Sequence, residues 1–200
     1  MKNHPLNGAA PDRQAVLYYV MGASGAGKDS LIRYAREHLP KGAPIVFAHR
    51  YITRRPDAGG ENHVALDHRE FEVRLRYGCF ALSWQAHGRH YGIGVEIDQW
   101  LSKGLSVVVS GSRAYFEQAT LRYPDLCPVL VRVRHEVLRE RLIARHREDE
   151  AAIAERLERA RELDELKHPQ MVVIPNEGPL EEGGDLFVRL LTEQTTDPCA

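Results

Sequence analysis

One short run constrains this chain more than any other feature: Gly22-Ala-Ser-Gly-Ala-Gly27-Lys28, followed by Asp29-Ser30. Before it stands Ala15-Val-Leu-Tyr-Tyr-Val-Met21, a continuous apolar stretch suited to a strand buried on both faces. After it, Ser30 to Leu39 carries helical periodicity, and Pro40-Lys-Gly-Ala-Pro44 closes the pattern. A glycine-rich turn between strand and helix, ending in lysine, can wrap its backbone N–H groups around a phosphate chain. The helix that follows adds its positive end. Gly22, Ala23, Ser24, Gly25, Ala26, Gly27, Lys28, Asp29 and Ser30 are therefore candidate nucleotide-phosphate ligands, with Lys28 the one cation able to follow the transferred charge.

One position departs from the usual motif. A Ser or Thr normally follows the lysine and ligates magnesium, but here Asp29 stands there and Ser30 comes one place later. One step along a helix turns a side chain by roughly 100°, so Ser30 is no simple substitute. Asp29 becomes the expected magnesium holder, directly or through water.

Elsewhere, Ile45 to Ala48, Val107-Val-Val109, Val129-Leu-Val-Arg-Val133 and Met171-Val-Val-Ile174 read as further strands. Glu136 to Lys167 reads as charged helix with a break near Arg145–Asp149, and Pro179 to Leu191 as a closing helix. Strands alternating with helices predict an α/β fold, a parallel sheet flanked by helices. Residues 50 to 104 are different: short apolar runs, glycines, mixed polar and aromatic residues, and a helix near Asp67–Tyr77. They read as an inserted substrate-binding subdomain. The expected organisation is a single domain over 15–195, with its core in 15–49 and 104–195 and the insert at about 50–103. A helical lid is expected at about 140–156, and residues 1–14 read as a loose leader.

Several stretches, in order and over nearly the whole chain after residue 15, resemble the guanylate kinase branch of P-loop kinases. They are the loop itself, Ile52-Thr53-Arg54-Arg55-Pro56, Glu70-Phe71, Gly88-Arg-His-Tyr91-Gly92, Arg141-x-x-x-Arg145 and Arg156-Leu157. The resemblance implies a P-loop NTPase fold with ATP as donor and Mg2+ as its cofactor. It implies that Arg54 and Tyr91 bind the acceptor's phosphate, with Arg50 near them. It also implies that Arg145 and Arg156, from the lid, close with Lys28 over the transferring phosphoryl group as the catalytic cations.

The guanine-reading residues of that branch do not carry over. Ser83 replaces the Glu before the Trp that corresponds to Trp84, and Ile93 replaces the Ser or Thr after the Tyr-Gly turn. His63 stands where a tyrosine is expected, and Ser110-Gly111-Ser112 ends a central strand that there ends in an Asp pair. A guanine edge needs a carboxylate acceptor, so GMP would be discriminated poorly. Phosphate handles without a base reader, together with Gly-Lys-Asp-Ser, Glu61-Asn62-His63 and Ser110-Gly-Ser-Arg113, resemble the ribose 1,5-bisphosphate phosphokinases of bacterial phosphonate degradation. That resemblance implies ATP-dependent phosphorylation of ribose 1,5-bisphosphate to 5-phosphoribosyl 1-diphosphate, with Arg113 as an extra phosphate partner. The rivals are a guanylate or other nucleoside monophosphate kinase and a non-catalytic interaction module.

Composition narrows the partners. Lys and Arg total 27 against 28 acids, a formal net charge of −1, which argues against a general nucleic-acid coat or a polybasic membrane clamp. No stretch approaches the roughly 18 apolar residues of a membrane span. Cys79, Cys127 and Cys199 form neither a disulfide framework nor a zinc pattern, which suits a reduced cytoplasm. The ten histidines, His87-x-x-His90 among them, lack the spacing of a structural metal site. Trp84 and Trp100 are expected in the core rather than as stacking platforms, and Cys127 as a buried small apolar residue. The oligomeric state is left open, a homodimer among the outcomes.

Overall fold

The computed structural model describes residues 14–54, 63–86, 88–144, 149–164 and 166–193. Its centre is the apolar run identified above, strand β1 (Leu17–Gly22). Side chains alternate across a strand, so β1 feeds both sides of the molecule. Tyr18 and Val20 join one core cluster, with Val108, Val129, Val131, Leu31 and Phe187. Leu17, Tyr19 and Met21 join the other, with Val107, Val109, Ile93 and Ile97. Tyr18, Tyr19, Val20 and Met21 are all fully buried.

Around β1, strands β2 (Ile45–Phe47), β7 (Ser106–Ser110), β8 (Cys127–Arg132) and β9 (Val172–Pro175) complete a sheet in the order β2-β7-β1-β8-β9. Every pairing in it is parallel. A second sheet follows β2 directly. It contains β3 (Arg50–Ile52), β4 (His63–Ala65), β5 (Phe80–Ala86) and β6 (Arg89–Gly94), ordered β4-β3-β6-β5. Here β3 pairs parallel with β4, while β6 runs antiparallel to β3 and β5. The segment that reads as an insert thus forms a sheet of its own.

Helices α1 (Lys28–His38) and α7 (Leu180–Thr192) pack together on one side of the parallel sheet. Helix α2 (His68–Arg76) starts where Asp67 accepts the Glu70 N–H, and it buries Phe71 against Phe80, ring centroids 4.6 Å apart. The charged stretch expected as one interrupted helix is two, α5 (His135–Ala144) and α6 (Glu150–Asp164). Two helices had no clear signal: α3 (Glu96–Ser102) and α4 (Phe116–Arg122), entered through a 3-10 turn at Arg113–Tyr115. At about two turns each, they are too short for a 3.6-residue period to emerge.

Trp84 and Trp100 are partly buried against the second cluster, in line with their expected packing role. Cys127 is buried in the first core cluster, as expected of a small apolar residue, and Cys79 is exposed. Among the described residues no helix is long and apolar enough to cross a membrane.

Where β7 ends, the chain passes over a buried ring. The Tyr19 hydroxyl donates to the Ser112 carbonyl at 2.9 Å, and the Ser112 N–H donates back to it at 3.0 Å. A Cβ at Gly111 would fall 2.3 Å from that ring. With the ring pinned at its hydroxyl and packed on both faces, Gly111→Ala is expected to destabilise the fold by about 1–3 kcal/mol. Chemical denaturation checks this, and an unchanged midpoint would show that the ring gives way freely.

Candidate active site

The loop takes the form its glycines allow. Gly25 and Gly27 have φ of 101° and 87°, a region that L side chains rarely enter. Gly27 is the N-cap of α1, and no side chain caps that helix. Its first-turn N–H groups are thereby left to an anion. The loop is braced from below by a residue the sequence reading missed. Asn176, buried directly after β9, donates from Nδ2 to the Ala26 carbonyl at 2.7 Å. A Cβ at Gly27 would lie 2.3 Å from that same nitrogen, so the second glycine is required by packing as well as by φ. A polar residue closing an apolar strand run was the available signal.

Lys28 does not point into empty space. Its Nζ donates to Ser110 Oγ at 2.5 Å and to Asp29 Oδ1 at 2.7 Å. Ser110 Oγ in turn lies 3.5 Å from Asp29 Oδ1, and Arg50 Nη2 lies 3.7 Å from the same oxygen. Burial, with the Arg50 charge next, brings the Lys28 ammonium down from 10.5 to about 8, against the pull of Asp29. Burial pushes the Asp29 carboxyl upward, yet Lys28, Arg50 and Ser110 together hold it below its ordinary range. Burial also lowers Arg50, with Asp29 opposing. Two cations therefore share one carboxylate in a partly dehydrated cleft, an arrangement poised to accept negative charge.

The second sheet supplies the rest. Arg50 opens β3, and its guanidinium lies 5.8 Å from the Tyr91 ring centroid. Tyr91 stands opposite Trp84 across the β5–β6 ladder, and the two rings are parallel within 2° at 5.5 Å. The Tyr115 ring also lies against Trp84, with centroids 5.9 Å apart and planes 28° from parallel. Arg54, just past β3, contacts His63 Nδ1 at 3.4 Å, and the neighbouring Thr53 hydroxyl accepts the His90 N–H at 2.9 Å. Ile93, at the position where a base-reading hydroxyl is absent from the sequence, is fully buried in the core.

From helix α6, Arg156 donates to the Ser24 hydroxyl inside the phosphate loop. Arg113 donates to the Arg159 carbonyl at 3.5 Å, tying the end of β7 to the same helix. Arg145 lies outside the described residues. Arg139, Arg159 and Arg161 pair with Glu150, Glu155 and Glu158 at solvent-exposed positions of α5 and α6. The structure therefore brings Lys28, Asp29, Arg50 and Ser110 into one cluster, with Tyr91 beside Arg50, Arg54 farther along the same sheet and Arg156 over the loop. In the sequence Ser110 has no role of its own, standing as a replaced aspartate and as part of a family-like run; its value lies in a contact 82 residues away in the chain.

The lowered Lys28 value has a measurable sign. At pH 8 about half of the free protein's Lys28 is neutral, and a polyanion seated against it restores the charged form. ATP binding at pH 8 is expected to take up roughly half a proton, and at pH 6.5 almost none, from this group. Calorimetry in buffers of different ionisation enthalpy reads this directly; proton release, or uptake unaltered in Lys28→Met, would contradict it.

No protein-family model matches the chain. Curated relatives do. It is 55% identical over 179 residues to the ribose 1,5-bisphosphate phosphokinase of Desulfomicrobium baculatum, covering 90% of this chain and 95% of that protein. It is 51% identical to the ribose 1,5-bisphosphate phosphokinase of Thiobacillus denitrificans, covering 88% and 93%. Among solved structures, guanylate kinase from Anaplasma phagocytophilum superposes with a TM-score of 0.68 at 18% identity, covering 94% of this chain and 90% of that one. The last comparison establishes the fold alone, that of a P-loop kinase of guanylate kinase type. The kinship in sequence is closer and spans both chains: this chain belongs to the ribose 1,5-bisphosphate phosphokinase family.

Proposed function

We infer that this chain is a kinase that phosphorylates ribose 1,5-bisphosphate with ATP, giving 5-phosphoribosyl 1-diphosphate and ADP, a step of phosphonate catabolism. The observation that carries this reading is the kinship at 55% identity over nearly the whole length of a protein named for that substrate. The cleft supports it chemically. It has cationic groups on both sides of Asp29 and a buried isoleucine, Ile93, where a nucleoside acceptor would need a polar partner.

The acceptor nucleophile is an oxygen of the 1-phosphate, already anionic, so no general base is needed. That oxygen bonds to the γ-phosphorus of ATP as the bond from that phosphorus to the bridging oxygen breaks, and ADP leaves with the electron pair. What the protein must supply is alignment and charge compensation. In this reading the loop amides and Lys28 hold the donor phosphates. Arg54, Tyr91 and Arg50 position the acceptor, and Arg113 serves a further phosphate. Arg145 and Arg156 close over the transferring group from the 140–156 lid and exclude water, which would otherwise hydrolyse ATP.

Magnesium fits the donors present. The contacts of the Asp29 carboxylate with Lys28, Ser110 and Arg50 all fall on Oδ1, and its side chain is 42% exposed, which leaves Oδ2 to a ligand. Carboxylate and hydroxyl oxygens suit a hard cation that keeps several waters and the phosphates in its shell. When bound, the ion neutralises charge on the donor phosphates. With substrates that are both phosphorylated metabolites, the reading locates the protein in the cytoplasm.

A coupled ADP-release assay tests the reaction. Release is expected with ribose 1,5-bisphosphate and only weakly with GMP or no acceptor. Ready turnover of GMP alone would make the chain a nucleoside monophosphate kinase, and no release at all a binding module. Lys28→Ala is expected to lower kcat by a factor of about 100 or more while the melting temperature stays within a few degrees. Equal losses of activity and stability would reduce the lysine to a structural role. Arg54→Ala is expected to raise KM for the sugar phosphate more than KM for ATP, as steady-state kinetics would reveal.

A further inference from the structure

P-loop proteins hold magnesium with two oxygen donors of different kinds: a Ser or Thr hydroxyl directly after the loop lysine, and an aspartate carboxylate from another segment. In this chain the residue after the lysine is the acid, and the hydroxyl ends the strand beside β1. Strand β7 runs parallel to β1 with Ser110 opposite Val20, so its last residue arrives at the mouth of the loop. There Ser110 Oγ and Asp29 Oδ1 are 3.5 Å apart, and Lys28 Nζ donates to both.

We propose that the two magnesium donors have exchanged chain positions, Asp29 on α1 supplying the carboxylate and Ser110 at the end of β7 the hydroxyl of one site. The inference deepens the reading of the chain as an ATP-dependent kinase and rests on it. A second observation supports it. An acid in the first turn of a phosphate-binding helix repels the polyanion that the helix is there to attract. Lys28 and Arg50 offset Asp29 in the free protein, but both are cations that the phosphates themselves engage. A divalent cation on the carboxylate turns that repulsion into attraction, which gives the acid a reason to stand where it does.

The exchange is tested by reversing it. ATP affinity is measured by calorimetry with magnesium and with EDTA, and the ratio of the two dissociation constants reports what the ion contributes. Electron paramagnetic resonance of bound Mn2+ with ATP reports the ligand set independently of turnover. Asp29→Ser is expected to lower the magnesium ratio at least about tenfold, and Asp29→Ser with Ser110→Asp to recover most of it, a coupling that a double-mutant cycle isolates. The Mn2+ spectrum should broaden in the single variant and return in the double one. An unchanged ratio in Asp29→Ser, or a folded double variant no better than the single, would overturn the proposal. If the double variant does not unfold cooperatively, Ser110→Ala decides: a lowered ratio supports the exchange, and a wild-type ratio overturns it. No acceptor enters these measurements, so a failure to phosphorylate ribose 1,5-bisphosphate would strike the proposed reaction and leave this result readable.

Discussion

The free cleft is organised by one ammonium group. Lys28 Nζ is held between Ser110 and Asp29, next to a second cation that shares the same carboxylate. In water such a cluster would be unremarkable. Dehydrated by the loop and by β7, it keeps positive charge at a place where only polyanions can relieve it, and its components come from three separate elements. The loop conformation, the end of β7 and the start of β3 all have to be correct at once for those distances to hold. The two glycines with positive φ and the buried Asn176 beneath them serve that requirement.

How much of this was legible beforehand depends on the range of the interaction. The phosphate loop, the strand before it and the helix after it are local statements, written in consecutive residues, and the chain folds there as read. The strands of the parallel sheet were visible for the same reason, since burial on both faces demands unbroken apolar runs. The order β2-β7-β1-β8-β9 was not, because register between strands tens of residues apart leaves no mark in either. Ser110 illustrates the limit. In sequence it was a vacancy left by an aspartate, and in space it is a partner of Lys28. Asn176 escaped notice because its significance lies in the Ala26 carbonyl, 150 positions earlier.

The acceptor side followed a different logic. Arg50, Arg54 and Tyr91 carry no pattern of their own, and kinship rather than periodicity singled them out. What the structure adds is a reason for their company. Tyr91 is fixed by a parallel ring beneath it, and the same tyrosine flanks the Arg50 guanidinium, so a flexible arginine is confined by an aromatic wall. Ser83, on the strand that carries Trp84, pairs with Gly92 in the ladder and offers no carboxylate.

Where the chain first passes from the parallel sheet to the small one, two residues, Ala48 and His49, span the step from the end of β2 at Phe47 to the start of β3 at Arg50. The first of the two is itself anchored, its N–H donating to the Val108 carbonyl at 3.0 Å. The tether has almost no slack. Adding or deleting a single residue there would reverse which face of β3 looks inward and carry the Arg50 head away from Asp29, so this connector is a place where chain length itself is under constraint.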